Sequence, residues 1–246
     1  MPGISEPSRM AVIFDMDGVL VDSYKAHFQS WLLLGKEFGH TQTEAEFSSL
    51  FGRTSRDIIQ TLWGPNLSEE LIMQMDERKE FLYRATLKQD FPVMDGAVEL
   101  IDALRQAGFL LAVGSSGPPE NVEICLQGLG RVDSFGAIVN GLEVTRGKPD
   151  PQVFAMAAQR LGLDPSGCAV IEDAPAGIEA ARAGGMTAIA LTGTAPPDRL
   201  YQADIIVNSL RQLSPPLIAQ LIRAHKLEQK SCESFLPVRP PFNPIV

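Results

Sequence analysis

Asp15 and Asp17 stand two residues apart, directly after the apolar run Met10 to Phe14 and before Gly18. The run is β-branched and apolar without alternation, as in a strand covered on both faces, and ligand sites in open α/β sheets lie beyond the carboxyl ends of such strands. Two carboxylates at that spacing project to one side and need a counter-ion. A hard divalent cation such as Mg2+ is the simplest one, since it takes carboxylate and carbonyl oxygens and bridges to phosphate. A carboxylate can itself attack phosphorus, so Asp15 is read as a nucleophile and Asp17 as the group that moves protons. A turn with a helix N-cap explains the same two acids without chemistry.

Three further clusters follow apolar runs. Ser115, in Gly114-Ser115-Ser116-Gly117, offers a hydroxyl and exposed N–H groups suited to a phosphoryl oxygen. Lys148, in Gly147-Lys148-Pro149-Asp150, supplies a compact positive charge, although a surface lysine is the ordinary reading of Lys-Pro. Glu172 and Asp173 follow Ala169-Val170-Ile171 and repeat the opening theme; capping explains one acid there, and two fit a metal better. A nucleophile, an acid/base, an oxyanion holder, a cation and a metal clamp make the kit that phosphoryl transfer requires, because its transition state asks mainly for alignment and charge neutralisation.

The elements that must position these groups divide the chain. From Asp95 onward, helices and buried runs alternate as in a parallel α/β sheet, with strands expected at Phe109–Val113, Ala137–Val139, Cys168–Ile171, Thr187–Leu191 and Ile205–Val207. Between Asp22 and about Asp90 the pattern is helical throughout, with a capping box at Thr43-x-x-Glu46 and a longer helix opening at Ser68-Glu69-Glu70. The expectation is an α/β, Rossmann-like parallel sheet core over residues 1–22 and 95–226, a small helical bundle inserted over residues 23–94, and a proline-rich, loosely ordered tail over residues 227–246.

With 246 residues, 45% hydrophobic and 21% charged, the composition is that of a soluble globular protein. A net charge of −9 with a pI near 4.9 argues against non-specific binding to nucleic acid or anionic membrane. The first ten residues carry no apolar leader core, and no run is long enough to span a bilayer. Cys125, Cys168 and Cys232 are widely spaced with no metal-ligand pattern, which favours reduced thiols and a cytoplasmic location. The expected partner is a small phosphorylated metabolite met by a monomer, with no nucleic acid and no membrane.

Phe14-Asp15-Met16-Asp17-Gly18-Val19-Leu20-Val21-Asp22-Ser23, Gly114-Ser115-Ser116, Gly147-Lys148-Pro149-Asp150-Pro151 and Ile171-Glu172-Asp173-Ala174-Pro175-Ala176-Gly177 resemble, in order, the four motifs of the haloacid dehalogenase superfamily. The resemblance runs from about Met10 to Leu191. It implies a Rossmann-like core, a helical cap inserted after the first motif, Mg2+ and an aspartyl-phosphate on Asp15. It assigns the metal to Asp15, the carbonyl of Asp17 and Asp173, with Glu172 in support, and the phosphoryl group to Ser115 and Lys148. Gly18 and Ser116 are expected to line the substrate site.

Within that superfamily the chain is similar to the beta-phosphoglucomutase group and its sugar-phosphatase relatives. His27, Arg56 and Lys79 match cap positions that in the mutase gate the acid/base and bind the distal phosphate or sugar. Each has a plainer reading: His27 as a packed helix residue, Arg56 as a surface ion pair, Lys79 as part of a solvated charged face. Gly117-Pro118-Pro119 stands where the mutase carries a lysine and an asparagine, which removes one basic ligand. A phosphatase of small sugar phosphates is the leading expectation and the mutase the alternative. A dehalogenase has no need of Asp17, and a catalytically silent binding protein would be marked by the loss of Asp15 or Asp17, both of which are present.

Overall fold

The computed structural model describes residues 9–51 and 54–233. Six strands form one parallel sheet: β1 (Ala11–Phe14), β2 (Leu110–Gly114), β3 (Ala137–Val139), β4 (Cys168–Glu172), β5 (Thr187–Leu191) and β6 (Ile205–Val207), in the order β3-β2-β1-β4-β5-β6. Phe14 lies in register with Val113 on one side and Ile171 on the other. The order reverses at β1, so the crevice beyond its carboxyl end is the switch point where α/β sheets bind ligands.

Both faces of the sheet are covered, which is why its strands read as unbroken apolar runs. Val12, Phe14, Val113 and Ile171 pack on one side against α5 (Ala97–Gln106) and α6 (Pro119–Leu129). Ile13, Ala112 and Val170 pack on the other against α7 (Gln152–Arg160) and α8 (Pro175–Ala183).

The inserted segment forms α1 (Tyr24–Phe38), α2 (Glu44–Leu50), α3 (Ser55–Trp63) and α4 (Glu69–Gln89). Its helix starts obey local chemistry: the Thr43 and Glu46 box closes, and the side chains of Thr54 and Ser68 accept from the N–H groups of Asp57 and Leu71. Trp31, Leu34, Phe47, Ile59 and Met75 give the bundle an apolar cluster of its own. Its two connections to the sheet run antiparallel, with Asp22 N donating to Pro92 O at 2.8 Å and Met94 N to Leu20 O at 3.1 Å. No helix among the described residues is long and apolar enough to cross a membrane.

The tail expectation needs correction. A last helix, α9 (Pro215–Glu233), runs through Lys226 and the start of the stretch expected to be loose. Ile218, Ile222 and His225 are buried along it, and Gln229 Nε2 donates to Gly185 O at 3.0 Å. The apolar face of α9 lies in the stretch already expected in the core, and the continuation of the helix to Glu233, with the Gln229 contact to the turn before β5, orders the first residues of what composition alone assigned to a loose tail. The proline-rich stretch from Pro237 lies outside the described residues, as do Gly52 and Arg53.

Candidate active site

The expected clusters gather at the carboxyl edge of the sheet. Asp15 follows β1, Ser115 follows β2, Glu172 ends β4 with Asp173 next, and Lys148 sits in the loop before α7. Lys148 Nζ donates to Asp15 Oδ1 at 2.5 Å and to Glu172 Oε1 at 2.7 Å, and lies 4.7 Å over the Phe154 ring. The Glu172 carboxylate is used twice, because its Oε2 also accepts from the N–H groups of Asp173 and Ala174, both at 2.7 Å. Gly177 makes room for it, since a Cβ there would lie 1.9 Å from Glu172 Oε1.

Three buried carboxylates cluster here, and two of them, Asp15 and Glu172, hold the one ammonium. Burial pushes the Asp15 carboxyl up to about 7 against the pull of Lys148, and burial with Glu172 alongside pushes Asp173 well above the usual carboxylate range. Burial would lower the Lys148 ammonium, but Asp15 and Glu172 outweigh it and raise it. Oxygen atoms of Asp15, Glu172 and Asp173 lie within 4.8 Å of one another. All-oxygen donors with surplus negative charge suit a hard divalent cation. Gly18, with φ of +81°, leaves the space beside them open, because a Cβ there would lie 1.9 Å from Asp173 Oδ2. The donor set therefore fits Mg2+. Thr194 Oγ1, on the loop after β5, donates to Asp173 Oδ2 and fixes that carboxylate.

Asp17 faces the bundle. Its Oδ1 accepts from the Tyr83 hydroxyl at 2.7 Å and lies 3.3 Å from His27 Nε2. The Tyr83 ring stacks on His27, with centroids 4.1 Å apart. On the far side of the imidazole, Lys79 Nζ is 3.2 Å from Nδ1. An ammonium only donates, so Nδ1 accepts and Nε2 carries the proton toward Asp17. Burial would raise Asp17, yet the hydrogen bonds from His27 and Tyr83 hold it below the usual range. Burial and the Lys79 charge push the His27 imidazolium down, so the ring meets Asp17 as a neutral donor rather than a full charge.

Of the expected substrate residues, His27 reaches Asp17, Lys79 reaches His27 from its other side, and Gly18 lies beside Asp173. Ser115 is buried at its strand tip, its Oγ accepting from Gly117 N at 3.0 Å, whereas Ser116 is exposed. The solvated-face reading of Lys79 is overturned: the residue is 3% exposed, pairs with Glu80 Oε1 at 2.7 Å, and sits near the rings of Trp31 and Tyr83. Arg56 is not drawn in. It is exposed and its Nη1 donates to Glu69 Oε2 at 2.9 Å, the surface ion pair that its position also allowed. Sequence reasoning missed Tyr83 and Thr194. Tyr83 carried one usable signal, its place one helical turn beyond Lys79; Thr194 carried none beyond following a strand.

A family model for haloacid dehalogenase-like hydrolases matches residues 10–185. The chain belongs to that family. It is 30% identical to the validoxylamine A 7'-phosphate phosphatase of Streptomyces hygroscopicus subsp. limoneus over 84% of this chain and 96% of that one. It is 28% identical to the beta-phosphoglucomutase of Bacillus subtilis, over 89% and 98% respectively. Among solved structures, the beta-phosphoglucomutase of Clostridium difficile superposes with a TM-score of 0.79 at 25% identity, over 89% of this chain and 99% of that one.

Proposed function

We propose that the chain is a Mg2+-dependent phosphatase of small sugar phosphates that works through an aspartyl-phosphate on Asp15. The observation that carries this is the division of labour between two acids two residues apart: Lys148 holds Asp15 on the sheet side, while His27 and Tyr83 hold Asp17 from the bundle side. The Asp15 carboxylate attacks phosphorus as the ester P–O bond breaks, and the leaving oxygen takes a proton from Asp17. A bound phosphate dianion pushes the Asp17 carboxyl upward, against the two hydrogen bonds that otherwise hold it ionised. Water then cleaves the acyl phosphate, its proton returning to Asp17. Lys148 and the Ser115 hydroxyl steady the phosphoryl oxygens. Mg2+, held by Asp15, the Asp17 carbonyl and Asp173 with Glu172 behind, would neutralise charge on the phosphoryl group.

Hydrolysis is favoured over mutase action by the state of the cap cations. A mutase must grip a bisphosphate at both ends, yet Lys79 pairs with Glu80 and Arg56 with Glu69. The mutase remains the competing reading because of the likeness to the two beta-phosphoglucomutases. A panel of phosphate esters with Mg2+ or EDTA tests the class: Mg2+-dependent phosphate release is expected, and Asp15→Asn abolishes it while the variant stays folded. Full activity of Asp15→Asn refutes the nucleophile. Supplied with beta-glucose 1-phosphate and catalytic bisphosphate, a phosphatase releases phosphate steadily; glucose 6-phosphate without free phosphate overturns that reading for the mutase.

A further inference from the structure

Asp15, Ser115 and Glu172 are carried by strand tips, whereas Lys148 stands in the connection between β3 and α7, outside the sheet ladder. The first half of that connection is tied to the Ser115 loop: Ser115 N donates to Val139 O at 3.0 Å and Gly141 N to Gly117 O at 2.8 Å. Thr145, Arg146 and Gly147, which lead into Lys148, are exposed, and one side chain gathers them. Gln152 Oε1 accepts from Arg146 N at 2.9 Å, Thr145 N at 3.1 Å and Thr145 Oγ1 at 3.2 Å. Backbone N–H groups only donate, so a single orientation of the amide satisfies them, with its oxygen toward the loop. Gln152 opens α7 directly ahead of the buried Val153 and Phe154, so it acts from the rigid side of the loop. Asp150 closes the turn around Lys148: its Oδ1 accepts from Gln152 N at 3.0 Å, its Oδ2 pairs with Arg146 Nε at 2.9 Å, and its N–H donates to Gly147 O at 3.0 Å.

We propose that Gln152 is a positioning residue that aims the Lys148 ammonium by fixing the backbone from which its side chain springs. An ammonium has three donors, and Asp15 and Glu172 take two of them. The nitrogen is tetrahedral, so the direction of the third N–H follows from those two contacts and from the line of the Cε–Nζ bond. That line is set by where the main chain lies. With Thr145 and Arg146 held on Gln152, the third N–H keeps one direction and meets the phosphoryl oxygen without reorganisation. With the loop released, Lys148 keeps its two acids by tilting its stem, and the remaining donor swings away from the phosphoryl group.

The inference rests on the proposed role of Lys148 toward the phosphoryl oxygens, and the assays separate the two claims. Loss of the hydrogen bonds to Gln152 corresponds to about tenfold, so Gln152→Leu is expected to lower kcat/KM for 4-nitrophenyl phosphate by that factor. Gln152→Glu supplies the same acceptor and should stay within about twofold of wild type. A second readout looks at the amine itself: acetylation by an N-hydroxysuccinimide ester, followed by peptide mass, should speed up at Lys148 at least about threefold in Gln152→Leu while the buried Lys79 is unchanged. Thr145→Val removes one of the three donors from the exposed side; it should show both effects at smaller size, and it decides the matter if Gln152→Leu does not fold. Wild-type kcat/KM in Gln152→Leu, equal losses in the Leu and Glu variants, or faster labelling of Lys79 and Lys148 together overturn the positioning role. Lys148→Met is the control: lost turnover there with Gln152→Leu unimpaired removes only the positioning, whereas full turnover in Lys148→Met removes the proposed part of Lys148 in the reaction and the positioning with it.

Discussion

Lys148→Met removes the ammonium at the centre of the site while keeping an apolar stem against Phe154. Lys148 is 10% exposed and touches Asp15 at 2.5 Å and Glu172 at 2.7 Å, so the substitution leaves three buried acids with no cation among them. Each contact is worth about 6 kcal/mol of gross Coulomb attraction at an effective dielectric near 20, most of it offset by the cost of burying the charges. Removing one partner of a buried pair costs about 4 kcal/mol net, close to a thousandfold in the folding equilibrium. With a urea slope of about 3 kcal/mol/M, the midpoint should fall by about 1.3 M. Urea titration followed by circular dichroism at pH 8 in EDTA measures it. The deficit should shrink toward pH 5.5, because Asp15 and Asp173 already have raised folded pKa values and rise further without Lys148. The folded variant then binds protons that the unfolded chain does not, and each pH unit over which it holds one proton more than wild type returns about 1.4 kcal/mol. A midpoint drop under about 0.3 M, against the expectation from buried-pair removal, or a deficit independent of pH, refutes the electrostatic account.

Gly18→Ala places a methyl against Asp173 Oδ2 at a left-handed backbone position, so magnesium binding measured by calorimetry should weaken at least about tenfold; unchanged affinity counts against the metal assignment. Glu80 is pushed up by burial, but Lys79 and Asn121 outweigh this and hold it below its ordinary 4.5. Its contribution to stability is therefore complete above that value and is lost as pH falls below it, and Glu80→Gln should flatten the acid limb of a thermal melt; an unaltered limb contradicts the pairing. Burial raises both the Cys125 and the Cys168 thiols, Cys168 to about 12. Iodoacetamide at pH 8 should leave both unlabelled in the native protein and modify both in urea, as read by peptide mass; rapid native labelling contradicts their burial.

The strand tips and their acids were legible in the sequence because strand, turn and carboxylate are adjacent in the chain. A buried β-branched run that stops at Asp15-x-Asp17, and another that stops at Glu172-Asp173, determine locally where charge must emerge. Helix starts at Thr43 and Ser68 were legible for the same reason: a cap is a contact over three residues. The second half of helix α9 was not, since its polar sequence resembles a loose tail until the helix has something to pack on.

Charge pairing within the helical bundle was decided by tertiary structure alone. Lys79 and Arg56 are both cations on helices of the inserted segment; one is buried against Glu80 and His27, the other exposed against Glu69. Whether a lysine is solvated or sealed, and which way an imidazole carries its proton, depends on desolvation and on partners tens of residues distant. Those terms come into being only when α1, α4 and α6 meet, so the acids at the strand tips are written in the chain, while the environment that aims them exists only in the folded protein.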